Sequence, residues 1–136
     1  MKTENKILIG GQALRILGST RSTNDIDYLI NDTTTKEAFL HDENIDYLNA
    51  NGNKFFAEIF KIENGNQIAS PQSLLELKAY AFVQHCQNYK FQKADEAEFD
   101  MKFLVRKFNL TVKKVRNYVS SGEFSEIMKV INSTKK

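Results

Sequence analysis

The sequence predicts an α+β fold: a mixed sheet with flanking helices in its first half, followed by a helical C-terminal region. Three observations carry this. Ile7-Leu8-Ile9 is a β-favouring run stopped at once by Gly10-Gly11. Thr23–Ile30 reads as a second strand through Ile26, Tyr28, Leu29 and Ile30. After Ser70-Pro71 the apolar residues recur at helical spacing to the end of the chain. At 136 residues the chain suits one compact unit. In that unit, residues 1–68 form the α/β core and residues 69–136 a helical region packed on it.

Taken in order, Gln12 opens a helix whose apolar face is Ala13, Leu14 and Leu17, with Gly18 as its terminator. Asp32-Thr-Thr-Thr35 reads as a turn and N-cap leading into a helix over Lys36–His41, with Phe39 and Leu40 inward. His41 ends that helix and has no evident ligand partner. Ile45–Leu48 and Lys54–Ile62 read as the two strands of a hairpin joined at Asn51-Gly52-Asn53. Ser70 and Pro71 then suit the N-cap and first position of a helix running to about Gln87. Further helices are expected over Ala94–Phe108 and Val112–Val119. Ser120-Ser-Gly122 breaks the second of these, and Phe124, Ile127, Met128 and Ile131 line a last one. There are no internal repeats.

Composition narrows the function classes. Apolar and charged fractions are ordinary for a globular protein, and no run approaches the length of a membrane span. The N-terminus does not read as a signal peptide. One cysteine, Cys86, cannot form an internal disulfide, fits a reducing cytoplasm and reads as an inert helix residue. No Gly-x-x-x-x-Gly-Lys-Ser/Thr occurs, no Cys/His cluster has zinc spacing, and neighbouring His85 and Cys86 point to different sides of a helix. The net charge of +2 hides an asymmetry: residues 1–68 are acidic, whereas from Met101 onward nine Lys/Arg face only Glu123 and Glu126. A basic lobe beside an acidic one suits a polyanionic partner such as a triphosphate or RNA. RNA binding by the C-terminal helices would need interleaved aromatics, and Phe108 and Tyr118 fit the core instead.

Two motifs carry chemistry. A strand, two glycines and a helix start let backbone approach a phosphate closely, with free N–H groups turned towards it. Asp25 and Asp27, two apart on a strand, project from one face roughly 6–7 Å apart. Adjacent carboxylates repel unless a cation sits between them, and Mg²⁺ takes one or two carboxylates with phosphate oxygens and waters.

At this spacing, Leu8-Ile9-Gly10-Gly11 and Asp25-Ile26-Asp27-Tyr28 resemble the signature of the nucleotidyltransferase superfamily related to DNA polymerase β. Arg21-Ser-Thr23-Asn-Asp25-Ile-Asp27 is similar to the form found in small bacterial members of the abortive-infection and toxin–antitoxin types. Leu74-Leu-Glu-Leu-Lys78-Ala-Tyr-Ala81, with Lys93-Ala-Asp95 and Asp100-Met-Lys-Phe-Leu104, resembles their helical half.

The resemblance implies a Mg²⁺-dependent (or Mn²⁺-dependent) transfer of a nucleoside monophosphate from an NTP to an acceptor hydroxyl. Gly10, Gly11, Arg21 and Lys78 would bind the nucleotide. Asp25 and Asp27 would bind the catalytic metals. Asp95 or Asp100 would orient the triphosphate or a metal-bound water. A third carboxylate from a neighbouring strand completes such sites; Glu58 in Ala57-Glu58-Ile59 fits best, with Glu63 and then Asp46 as fallbacks. The acceptor could be a protein, an RNA end or a small molecule. The alternative is a nucleotidyltransferase-like antitoxin or partner-binding subunit beside a toxin. Association into a homo-oligomer is compatible with either.

Overall fold

The computed structural model describes residues 5–135 and has the α+β architecture expected. The chain divides into two compact units, Met1–Ser70 and Pro71–Lys136.

The first unit is built on a four-stranded mixed sheet of order β1-β2-β4-β3, from β1 (Ile7–Ile9), β2 (Ile26–Ile30), β3 (Phe39–Asp42) and β4 (Ile45–Asn49). β1 runs antiparallel to β2, β2 parallel to β4, and β3 antiparallel to β4. The short helix α1 (Gly10–Ile16) starts directly off β1. It closes in a Schellman turn, Ser19 N–H donating to the Leu14 carbonyl and Gly18 N–H to that of Arg15. α2 (Lys54–Glu63) packs on β2 and β4. Ile7, Ile9, Leu14, Leu29, Phe55, Phe56 and Ile59 are among the buried core residues. The Gln67–Ala69 segment lies beside β1, through hydrogen bonds from Leu8 N–H to Gln67 and from Ala69 N–H to Leu8.

Several local expectations are corrected. Asp32–Thr35 opens no helix. The Asp32 carboxylate accepts from the Thr34 N–H and hydroxyl, closing a turn. Fully buried Asn49 then ties the loop down, accepting from Asp32 N–H and donating to the carbonyls of Asp32 and Glu37. Phe39–His41 consequently emerges as strand. The hairpin is β3–β4, not one formed with Lys54–Ile62, which lies in helix α2. Asn53 is that helix's N-cap, its side-chain oxygen accepting from Phe55 and Phe56 N–H at 2.8 and 3.0 Å. The buried set Phe55, Phe56, Ile59 and Glu63 follows helical spacing.

The second unit holds α3 (Pro71–Gln87), α4 (Phe91–Phe108) and α5 (Ser121–Thr134), with α4 packed on both others. The helix expected over Val112–Val119 is only a 3₁₀ turn, Val115–Tyr118. Buried Glu76 explains it: its carboxylate accepts from the N–H groups of Lys113, Lys114 and Val115 at 2.7–3.0 Å. Ser120 caps α5 in a reciprocal capping box with Glu123. Among the described residues no helix is long and apolar enough to cross a membrane.

Candidate functional site

The register of the sheet assembles the two motifs. Ile9, the last residue of β1, is paired with Asp27 on β2, so Gly10 leaves the strand beside that carboxylate. Gly10 has φ +69°, and a Cβ built on it would lie 2.1 Å from Asp27 Oδ2. The carboxylate therefore occupies the space that any side chain at position 10 would fill, and only glycine suits both the backbone and the approach. The second glycine is used similarly: a Cβ on Gly11 would meet Thr23 Cγ2 at 2.6 Å. Gln12 Nε2 donates to the Thr23 carbonyl at 3.3 Å. Helix α1 begins at Gly10 itself, two residues before the expected start at Gln12.

Asp25 lies just outside β2, exposed, with its N–H donating to the Thr23 hydroxyl at 3.3 Å. That local turn, with Thr23 held on Gly11, explains why the strand starts at Ile26 and not at Thr23. Arg21 is half-buried in the preceding loop, where its N–H donates to Ser19 Oγ at 3.3 Å and its guanidinium reaches the Ser22 carbonyl.

The neighbouring strand brings a third acid. β4 is parallel to β2 with Asp46 directly beside Asp27, and β3 places His41 directly beside Asp46. In-register neighbours share a sheet face, so Asp27, Asp46 and His41 form one lateral row. His41 Nδ1 and Asp46 Oδ1 are hydrogen-bonded, both side chains at least half exposed. Asp46 is flanked by Ile45 and Tyr47, the apolar-acid-apolar setting expected of a third carboxylate. At the end of a helix His41 would face nothing; on strand β3 it faces Asp46.

Glu58 is not on a neighbouring strand. It sits half-buried in the middle of α2, where its sequence neighbours Ala57 and Ile59 do not define a sheet face. Glu63, at the end of that helix, is fully buried: its carboxylate accepts from the Ser70 hydroxyl at 2.6 Å, from Ser70 N–H at 3.0 Å and from Asn66 Nδ2 at 3.1 Å. That is a clamp on the chain leaving α2, with its oxygens committed.

Lys78 belongs to the helical unit, where its ammonium lies 2.9 Å from the carboxylate of Asp100, a residue only 1% exposed. Asp95 is exposed on α4.

The donor set of Asp25 and Asp27 is chemically suited to a hard divalent cation, and Gly10 leaves the Asp27 carboxylate the room it occupies. Among the described residues no three His, Cys, Asp or Glu side chains are gathered as a ready-made cage. Mg²⁺ does not ask for one, since nucleotide phosphates and waters complete its shell. Comparisons with protein-family models, with curated proteins and with solved structures found no match to this chain.

Proposed function

We propose that the first unit is a nucleotidyltransferase-type site that binds an NTP with Mg²⁺ and transfers its nucleoside monophosphate to an acceptor hydroxyl. The observation that carries this reading is the seating of the Asp27 carboxylate where a Cβ of Gly10 would lie, 2.1 Å away. In this reading Gly10, of a phosphate-cradling glycine pair, and Asp27, of a metal-binding acid pair, are distant in sequence and lie against one another.

In this reading Asp25 and Asp27 hold the cation, and Asp46, on the adjacent strand, replaces Glu58 as the third acid. Bound Mg²⁺ supplies charge stabilisation for the phosphates and the leaving oxygen. The backbone N–H groups at Gly10 and Gly11 hold phosphate oxygens at the strand–helix junction. Arg21, in the loop leading to Asp25, is the candidate clamp on the same phosphates. Asp46 accepts the acceptor's proton directly or orients His41 to do so, the two being already hydrogen-bonded.

The test is a thermal-shift panel of ATP, GTP, CTP and UTP, each with and without Mg²⁺, on the wild type, Asp27→Asn and Asp46→Asn. A ligand at about 100 times its dissociation constant adds roughly 2.7 kcal/mol of stability, several degrees for a chain of this size. A Mg²⁺-dependent shift with one nucleotide, lost in Asp27→Asn, supports the site. If no nucleotide shifts the midpoint, the reading fails, and a scaffold that binds a partner such as a toxin takes its place.

A further inference from the structure

The helical unit carries a surface that this chemistry does not use. α4 buries Ala94, Ala97, Met101, Leu104 and Val105 against its neighbours. Its outer face presents Asp95, Glu96, Phe99, Phe103, Arg106 and Lys107, which a turn of ~100° per residue brings together. Phe99 is 47% exposed. With Phe103, Lys102, Arg106 and Lys107 it lines a shallow groove of about 260 Å³. Lys107 extends over the Phe103 ring, 5.7 Å from its centroid.

Apart from Lys102, which is paired with Glu98, the charges on this face are segregated: acids in the turn before Phe99, bases in the turn after Phe103. We infer that the outer face of α4 is a self-complementary interface through which two copies of this chain pair, their α4 helices antiparallel. A two-fold axis level with Met101 sets Phe99 against Phe103 of the second copy. It also brings Asp95 within one residue's rise, about 1.5 Å, of Arg106 of the second copy, and Glu96 within the same distance of Lys107. Asp95 and Arg106 lie on one flank of the face, Glu96 and Lys107 on the other. Antiparallel helices bring like flanks together, so both contacts form at once, and the symmetry repeats each of them. A parallel pairing would set acid on acid.

A single-stranded polyanion is the other occupant with matching features, since Phe99 and Phe103 lie beside three cations. Two observations favour the second copy. Asp95 and Glu96 lie one turn from Phe99 and would repel phosphate, and Lys102 is already paired with Glu98 at 2.9 Å. A helix of 18 residues offers only about 27 Å of contact length. With a helix diameter of about 10 Å that strip is roughly 300 Å², well short of the roughly 800 Å² per partner of a standard stable interface, so the pairing is a weak, reversible one. It stands whether or not the α/β unit transfers nucleotides.

The test is sedimentation velocity on the full chain, from low micromolar to near-millimolar concentration. The wild type should pass from monomer to dimer over this range. Arg106→Glu/Lys107→Glu, whose face is all acidic, and Asp95→Lys/Glu96→Lys, whose face is all basic, should each pair at least about tenfold more weakly. An equimolar mixture of the two should recover dimer, because every contact is then between opposite charges. Circular dichroism checks that both fold, and Phe99→Ser supplies a variant that weakens pairing without altering charge. A wild type that stays monomeric at the highest concentration overturns the inference. So does a mixture no more associated than its components, or a monomer that retards a single-stranded RNA oligomer through this face.

Discussion

Replacing Gly10 by alanine is the sharpest probe of the candidate site, because its cost divides into two separately measurable parts. The first is conformational. Gly10 sits at φ +69°, and an L-residue in the left-handed region costs about 1–2 kcal/mol. The second is steric. The new methyl would lie 2.1 Å from Asp27 Oδ2, 2.9 Å from its Cγ and 3.0 Å from its Cβ. Asp27 is held by its pairing with Ile9, so its side chain must yield, and the oxygen has to retreat by more than an ångström. A side chain forced off its rotamer costs about 0.5–1.5 kcal/mol more. Gly65 provides the control: its φ is +93°, and a Cβ there meets nothing within 4 Å. Urea denaturation should therefore show Gly65→Ala losing about 1–2 kcal/mol and Gly10→Ala about 1 kcal/mol beyond that. Adding Asp27→Ala to Gly10→Ala should return part of the difference as a coupling energy. A carboxylate displaced by that distance should also weaken the Mg²⁺-dependent nucleotide shift far more than stability alone explains. If Gly10→Ala is no worse than Gly65→Ala, the carboxylate is not seated against the glycine and the site reading loses its foundation.

Three further outcomes rest on buried charge. Glu76→Gln turns one acceptor oxygen into a donor facing the Lys113, Lys114 and Val115 N–H groups and the Gln72 amide. It should cost about 2–4 kcal/mol by urea denaturation, and a loss near zero would show that the loop is held some other way. Lys78→Met leaves the Asp100 carboxylate buried without its 2.9 Å partner and should destabilise by about 3–5 kcal/mol. Lys78→Met/Asp100→Leu should recover most of that loss, and failure to do so would place the importance of these residues outside their pairing. For His85, burial first and the cations of Lys93, Lys90 and Lys78 next hold the imidazole pKa below its ordinary value. The unfolded chain then takes up a proton near about pH 6.5 that the folded chain does not. Stability from this group is thus lost as pH falls through that value, and the loss levels off below the folded pKa. His85→Gln should flatten the dependence of the urea midpoint between about pH 7 and pH 5, and an unchanged slope would discount the effect.

The α+β class and the first strand–glycine–helix unit are legible in the sequence because each rests on strictly local signals. A β-favouring triplet must stop at a glycine that alone accepts a left-handed φ, and Ala13 and Leu14 mark the buried side of helix α1. The stretch from Asp32 to Glu63 is not legible in the same way, and each departure has a physical source. Asp32 does accept hydrogen bonds as a cap would, from Thr34, but Asn49, 17 positions away in sequence, fixes the loop instead. A side chain that binds backbone across that separation leaves no periodic trace. At Asn53 the signal is present but ambiguous. Asn-Gly-Asn suits a hairpin turn, yet an asparagine followed by apolar residues at positions 55, 56 and 59 is equally an N-cap and an amphipathic helix.

That one ambiguity moves the candidate for the third acid. With Lys54–Ile62 taken as a strand, Glu58 becomes the apolar-acid-apolar carboxylate on a neighbouring strand, ahead of Glu63 and Asp46. In the observed sheet β2 pairs parallel with β4, and a parallel neighbour must return through a crossover, which here contains β3 and the loop secured by Asn49. The crossover brings Ile45–Asn49 alongside Ile26–Ile30 in strict register, so the position beside Asp27 is settled by pairing alone. A slip of one residue would put Ile45 or Tyr47 there and turn Asp46 to the opposite face. Tyr47 is 6% exposed and stacks with half-buried Tyr28 on that other face, so a slip would also cost the sheet this aromatic contact. The burial that fixes the register of β4 therefore also holds Asp46 beside Asp27: packing on one face of the sheet determines the acids on the other.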